Sequence, residues 1–333
     1  MRRALVLPVL VALAGCGSGD FDKLPRAAEP AKSPPLIAEP AGEVYDVGNE
    51  PEGVVADAQT GLVAVALRDP DDLVLFDADA RKVLKRVALP ESARHLGIAG
   101  PGGPVLVPAE RANALSLVDL PNGRVRTTKV GPYPHDATAA QGKVFVGDER
   151  ARTATVVVDG HNTGTIGVAS QPGGLATLDR DRMIGVISVR ERVLEIFDAR
   201  SQERVGRIDA GVGPTHLVTD GRNRIYVTDT AGDGLLVYRV KPKLELLRRL
   251  RVAGSPYGIA IDITAQRLWV TTTATNEIVA LDIRGGQPKT LGRLPAVRQP
   301  DTASIDETRG KLYVTGRLDG VLQVLDARAT RIP

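Results

Sequence analysis

One pattern is written seven times along this chain, and no other feature restricts its fold as much. Each copy opens on a short turn: Pro51-Glu52-Gly53, Ala93-Arg94-His95, Pro134-His135-Asp136, Pro172-Gly173-Gly174, Pro214-Thr215-His216, Pro256-Tyr257-Gly258 and Pro300-Asp301-Thr302. The turns recur at steps of 38 to 44 residues. A period of that length marks a supersecondary unit that cannot bury its apolar surface alone and stacks on copies of itself. A short apolar strand follows each turn: Leu62–Val65, Val105–Val107, Val144–Val146, Met183–Val186, Ile225–Val227, Leu268–Val270 and Leu312–Val314. A third strand comes after a polar loop: Leu73–Phe76, Leu115–Val118, Thr155–Val158, Val193–Phe197, Leu235–Tyr238, Ile278–Leu281 and Val321–Leu325. Asp77, Asp119, Asp159, Asp198, Asp282 and Asp326 close six of these strands, and Arg239 closes the fifth. Aspartate there builds turns, because its carboxylate accepts from backbone amides further on.

A weaker fourth strand ends most units, as in Lys82–Leu89, Glu203–Ile208 and Leu244–Val252. Four short strands per forty-odd residues describe a propeller blade. No stretch sustains a helical period. Runs such as Leu235-Leu236-Val237-Tyr238 are apolar on both faces, which suits a sheet sandwiched between neighbours. The expectation is an all-β, seven-bladed β-propeller of four-stranded blades over residues 41–333. The last unit ends soon after its third strand, while Glu43-Val44-Tyr45-Asp46-Val47 matches an outer strand and has no blade of its own. The N-terminal strand is therefore expected to close the ring as the outer strand of the last blade, leaving no open edge.

Arg224-Ile225-Tyr226-Val227-Thr228-Asp229 and Lys311-Leu312-Tyr313-Val314-Thr315 resemble the Tyr-Val-Thr-Asn repeat of bacterial seven-bladed propellers. That group includes the YncE-like proteins and archaeal surface-layer proteins. The resemblance covers roughly residues 43–327 and departs at Val105-Leu106-Val107-Pro108 and Met183-Ile184-Gly185-Val186. It implies the architecture and no single activity, since propellers carry binding modules and enzymes alike.

Residues 1–15 read as a signal peptide: Arg2 and Arg3, an apolar run from Ala4 to Leu13, and small residues before a cut site. The run is too short to span a bilayer comfortably. Leu13-Ala14-Gly15-Cys16 resembles the lipobox of bacterial lipoproteins, and Cys16 is the only cysteine. The resemblance implies a diacylglyceryl group on Cys16, cleavage before it, and an exported protein lipid-anchored to a membrane of the cell envelope. Residues 16–40 carry Pro25, Pro30, Pro34, Pro35 and Pro40 without an apolar period, and are expected to be an extended tether.

With Cys16 spent, no internal disulfide and no cysteine-ligated metal or covalent haem is possible. Losing Arg2 and Arg3 takes Lys+Arg from 43 to 41 against 40 Asp+Glu. Nucleic-acid binding needs a strong basic field, and this near-neutral balance argues against it.

In such a ring the opening turns and the loops after the second strands share one face around a central funnel. The turns bring His95, His135, Asp136, His216 and Asp301 there, and the loops bring Arg68, Glu110, Asp148, Glu149 and Asp229. Three of the four histidines sit on opening turns. His95 and His216 hold the third place and His135 the second. Imidazoles and carboxylates on one axis are the donors of a divalent-metal site, which can activate water. The plainer reading is that they cap strand edges. His161, in Asp159-Gly160-His161-Asn162, belongs to a turn on the opposite face. Neither a Gly-x-Ser-x-Gly elbow nor His-Glu-x-x-His occurs, and nothing requires a cofactor. The sequence therefore points to an envelope-anchored, non-catalytic binding protein. Its partners would be the membrane, through the lipid, and a protein, peptide or small ligand on the funnel face. The competing class is a metal-dependent hydrolase or lactonase using His95, His135, His216 and nearby carboxylates. A redox propeller holding a quinone or modified haem is a third.

Overall fold

A computed structural model describes residues 24–329; Cys16 and the leader lie outside them. Seven antiparallel four-stranded sheets follow one another around an axis. Their inner strands are Asn49–Asp57, Gly97–Ile98, Pro134–Ala140, Pro172–Leu178, Pro214–Thr219, Pro256–Asp262 and Pro300–Asp306. The two middle strands of each blade are almost wholly buried, as in Leu62–Asp69 and Gly234–Arg239. Outer strands such as Glu245–Arg251 are mostly exposed to solvent. Apolar clusters join adjacent blades; one packs Ile187, Leu194 and Ile196 against Leu217, Val227 and Tyr238. Among the described residues no helix is long and apolar enough to cross a membrane.

The ring closes as expected. Glu43–Asp46 pairs with Val321–Asp326, Tyr45 standing opposite Leu322. Beside this seam Gln323 is fully buried. Its amide donates to the carbonyls of Ala41 and Pro295 and accepts from Val297 N–H at 3.1 Å. The N-terminal segment, the sixth blade and the seventh are thus tied through one side chain.

The repeat's threonine has a physical explanation. In six blades the inner strand breaks register with the second just after its opening proline. Such a bulge frees backbone groups from the ladder. Thr228 Oγ1 accepts from His216 N–H at 3.2 Å and donates to the Tyr257 carbonyl of the next blade at 3.1 Å. Thr315 bonds Thr302 N–H and the Glu52 carbonyl likewise, and Thr271 accepts from Gly258 N–H. One hydroxyl thereby satisfies the bulge and stitches neighbouring blades. The strand-ending aspartates behave as turn formers at Asp77, Asp198, Asp282 and Asp326. Asp119 instead binds Arg126. His161 begins an exposed outer strand rather than lying within a turn.

The segment read as a tether departs from expectation. Residues 24–40 have no regular structure, yet they lie as a strap across the funnel mouth. Arg190 donates to the carbonyls of Leu24 and Pro25. Ser33 N–H donates to Gln299 Oε1 at 3.0 Å, and its hydroxyl donates to the Thr273 carbonyl at 2.7 Å. Asn276 donates to the Pro34 carbonyl. Ala27 packs against the core of the fourth and fifth blades. Gly213 permits the approach, because a Cβ there would meet Ala28 Cβ at 2.7 Å. Polar side chains on the rim hold this segment, so it needs no apolar period.

Candidate functional site

The second and third places of the opening turns form two stacked rings in the channel. Second-place residues Glu52, Arg94, His135, Thr215, Tyr257 and Asp301 line small cavities roofed by Ala27, Ala28, Glu29 and Pro30 of the strap. Third-place residues His95, Asp136, His216, Gly258 and Thr302 line a larger pocket of about 310 Å³, which continues along the inner strands and touches no strap residue. His95 and His216 border both compartments. They come from the second and fifth blades and meet Nε2 to Nε2 at 3.2 Å, forming the partition. The unequal places of the three histidines decide which compartment each one serves.

The strap-side chamber is an ion-pair network. Glu110 is 2% exposed. His135 Nδ1 donates to it at 3.0 Å, and Arg94 and Arg68 approach it at 3.4 and 3.7 Å. Burial pushes Glu110 up, but His135 and the two guanidinium groups outweigh it and hold the carboxyl below its ordinary range. His135 is also buried, which disfavours its charge, yet Glu110 and Glu149 together raise its pKa. Arg68 and Arg317 both pair with Glu52. Asp301 accepts from Gln299 at 2.9 Å. Burial, reinforced by the charge of Glu52, lifts Asp301 to about 7.

The partition is neutral. Burial lowers His95 well below the usual imidazole range, helped by the charges of His216, His135 and Arg94. Burial takes His216 to about 4, against the bond from its Nδ1 to the Tyr257 carbonyl. That carbonyl can only accept, at 2.9 Å. His216 Nδ1 therefore carries the hydrogen and its Nε2 presents a lone pair towards His95. On the open side, Asp136 accepts from Ala137 and Leu175 N–H. Burial raises it to about 6 against those two bonds. The walls are Val54, Ile98, Leu175, Val218 and Ile259, with the hydroxyls of Thr138, Thr177 and Ser304.

The expected site residues thus divide. The structure brings His95, His135, His216, Glu110, Asp136 and Asp301 to the channel. Asp148 and Asp229 it turns away, into their own blades. Asp148 accepts from Thr153 and Thr155, and Asp229 from Val212 and Gly213 N–H and from Arg249. Both are the last residues of second strands, and successive strand side chains face opposite ways. Glu149, one residue beyond Asp148, accordingly reaches His135 at 3.7 Å. Sequence reasoning left out Glu52 and Arg94, and took Tyr257 only as an aromatic near the funnel. Their signal was the second place of the turn, which they share with His135 and Asp301. Glu29 and Gln299 carried no such signal.

Glu110, His135 and Glu149 hold donor atoms within 4.8 Å of one another. Arg94 and Arg68 already neutralise Glu110, so a structural ion-pair network is the better account of that trio. No activated nucleophile faces a base on the open side among the described residues; Thr138 and Thr177 bond each other at 2.7 Å.

No family model matches this chain, and no curated protein matches it in sequence. Solved structures do match. A chain of Kuenenia stuttgartiensis hydrazine synthase is similar at TM-score 0.74 and 15% identity, over 87% of this chain and 99% of that one. A chain of a mitotic checkpoint complex gives 0.75 and 14%, over 91% and 98%. The Myceliophteria thermophila Cps50 (Swd1) β-propeller domain gives 0.73 and 14%, over 86% and 99%. Identity this low carries architecture alone: the chain is a seven-bladed β-propeller, and the likeness extends no further.

Proposed function

We propose that this is an exported, lipid-anchored binding protein of the bacterial cell envelope that takes a small ligand in its axial pocket. The observation that carries the reading is the division of the channel. The strap covers the mouth above Arg94, His135 and Asp301, while about 310 Å³ stays open beyond the histidine partition. That volume suits a small molecule. Apolar walls and a hydrogen-bonding floor favour a compact apolar body with one polar end directed at His95 and His216. The lack of a catalytic set among the described residues of the open side favours binding over turnover.

Anchoring through Cys16 rests on the leader and would also orient the site. Seven residues lie between Cys16 and Leu24, and the eight steps reach at most roughly 28 Å. The strap face would then lie towards the membrane and the open pocket away from it. The threonine stitching at Thr228 and Thr315 supports the Tyr-Val-Thr-Asn reading of the repeat.

Two measurements test the proposal. Metabolic labelling with palmitate should mark the membrane-fraction protein, and Cys16→Ser should abolish the label and release the protein. A thermal-shift panel of small amphiphilic carboxylates, amines and alcohols should give stabilising compounds whose effect disappears in Ile98→Trp, which fills the pocket. Stabilisation that persists in Ile98→Trp would place binding elsewhere.

A further inference from the structure

We propose that the axial pocket, read above as a ligand site, takes a small primary amine whose ammonium group pairs with the carboxylate of Asp136, an assignment that rests on that reading. Asp136 holds the third place of its turn, as His95 does on the adjacent second blade, and both line the pocket. Among the described residues of the lining, Asp136 is the only carboxylate, and there is no lysine or arginine. Its oxygens accept from Ala137 N–H at 2.8 Å and from Leu175 N–H of the next blade at 2.7 Å. These bonds stitch the third blade to the fourth and leave each oxygen a further lone pair.

Two neutral amides do not cancel a charge, and burial outweighs them, lifting the carboxyl to about 6. The nearby cations are committed elsewhere. His135 faces Glu110 and Glu149, Arg94 faces Glu110, and Arg68 and Arg317 pair with Glu52. An ionised carboxylate withdrawn from water without a counter-ion is costly. A ligand ammonium would supply that counter-ion through a charge-assisted hydrogen bond.

The hydrogens of the partition make the same demand. His216 gives its Nδ1 hydrogen to the Tyr257 carbonyl, so the 3.2 Å contact between the two Nε2 atoms is made by the hydrogen of His95. His95 then keeps a bare Nδ1, to which no group donates among the described residues. Burial holds both rings neutral. A carboxylate end would meet like charge at Asp136 and a lone pair at His95. An ammonium end brings three hydrogens to these acceptors, while Val54, Ile98, Leu175, Val218 and Ile259 enclose a compact carbon body.

The test is isothermal titration calorimetry of the mature protein at pH 8 with three probes of one shape: cyclohexylmethylamine, cyclohexylmethanol and cyclohexanecarboxylate. Asp136 is ionised there and the amine protonated. The amine should bind once per chain and at least about tenfold more tightly than the other two, the worth of one charge-assisted hydrogen bond. Asp136→Asn should remove that preference, and Ile98→Trp should abolish binding. If Asp136→Asn fails to fold, the wild type decides: at pH 6 the amine should displace a proton from the carboxyl, read as a binding heat that varies with the ionisation heat of the buffer. Equal or tighter binding of the alcohol or the carboxylate, blocked by Ile98→Trp, would overturn the amine and keep the pocket. A preference that survives Asp136→Asn, or amine binding at pH 6 without proton release, would overturn the pairing with Asp136. Binding of none of the three would overturn the amine, and silence of the whole thermal-shift panel would remove the ligand reading with it.

Discussion

Replacing Asp301 with asparagine should stabilise this protein at alkaline pH, although Asp301 sits among charged partners. Asp301 is 4% exposed and lies beneath the strap, with Glu52 adding repulsion to the cost of desolvation. Its carboxyl is lifted from 3.8 to about 7. The folded state thus holds the proton more tightly than the unfolded chain does. Raising the pH from near 4 to 7 therefore removes stability, and the loss is complete above about 7. Between pH 5 and 8.5 the unfolded chain is already ionised, so the folded state alone titrates. At 1.36 kcal/mol per unit over the two units from 5 to 7, the wild type should lose about 3 kcal/mol from this group. Asparagine copies the protonated acid in shape and can still accept from Gln299. Asp136 titrates with the same sign but is common to both proteins and cancels in the difference. Urea unfolding of both proteins at pH 5 and 8.5, with m-values compared, measures the effect. The advantage of Asp301→Asn over the wild type should grow by roughly 3 kcal/mol between the two pH values. An unchanged difference, or one that moves the other way, would show that Arg94 and Arg317 keep Asp301 ionised and that the chamber is not arranged as described.

Further outcomes follow from the packing. Gln323→Leu should leave the Val297 N–H and the Ala41 carbonyl without a partner at the closure, while the Pro295 carbonyl keeps the Ala41 N–H, costing about 2–4 kcal/mol by chemical unfolding. Deleting residues 41–48 should lower the melting temperature by more than about 10 °C; a deletion that melts like the full chain would show that the ring does not depend on its N-terminal strand. Thr228→Val removes the hydroxyl that serves both His216 N–H and the Tyr257 carbonyl, and should cost about 1–3 kcal/mol, whereas Val205→Thr on an exposed outer strand should change stability by less than about 0.5 kcal/mol.

The ring was legible because a period near forty, apolar middle strands and an unmatched strand at Glu43–Val47 all constrain the same packing. The site was legible only in part. The opening turns identified His95, His135, His216, Asp136 and Asp301, since those turns stand at the head of the innermost strands, beside the axis. The two-ring arrangement depends on which place in the turn a residue occupies, and a first or last strand residue reverses its direction with one step, as Asp148 and Glu149 show. The strap was hidden for another reason. Ser33, Pro34 and Ala31 dock through isolated bonds to Asn276, Gln299 and Ser255, and contacts between such distant positions leave no periodic trace.

A channel covered by the strap on one side and uncovered on the other underlies every reading of the site. Cysteine reactivity measures this directly, because Cys16→Ser leaves the chain without a thiol. In that background Ile98→Cys, on the open pocket, should react with a small charged methanethiosulfonate within about tenfold of an exposed control. Thr215→Cys, beneath Ala27 and Ala28, should react at least a hundredfold more slowly until residues 24–38 are removed. Rapid labelling at position 215 with the strap intact, together with protection at position 98, would contradict the account.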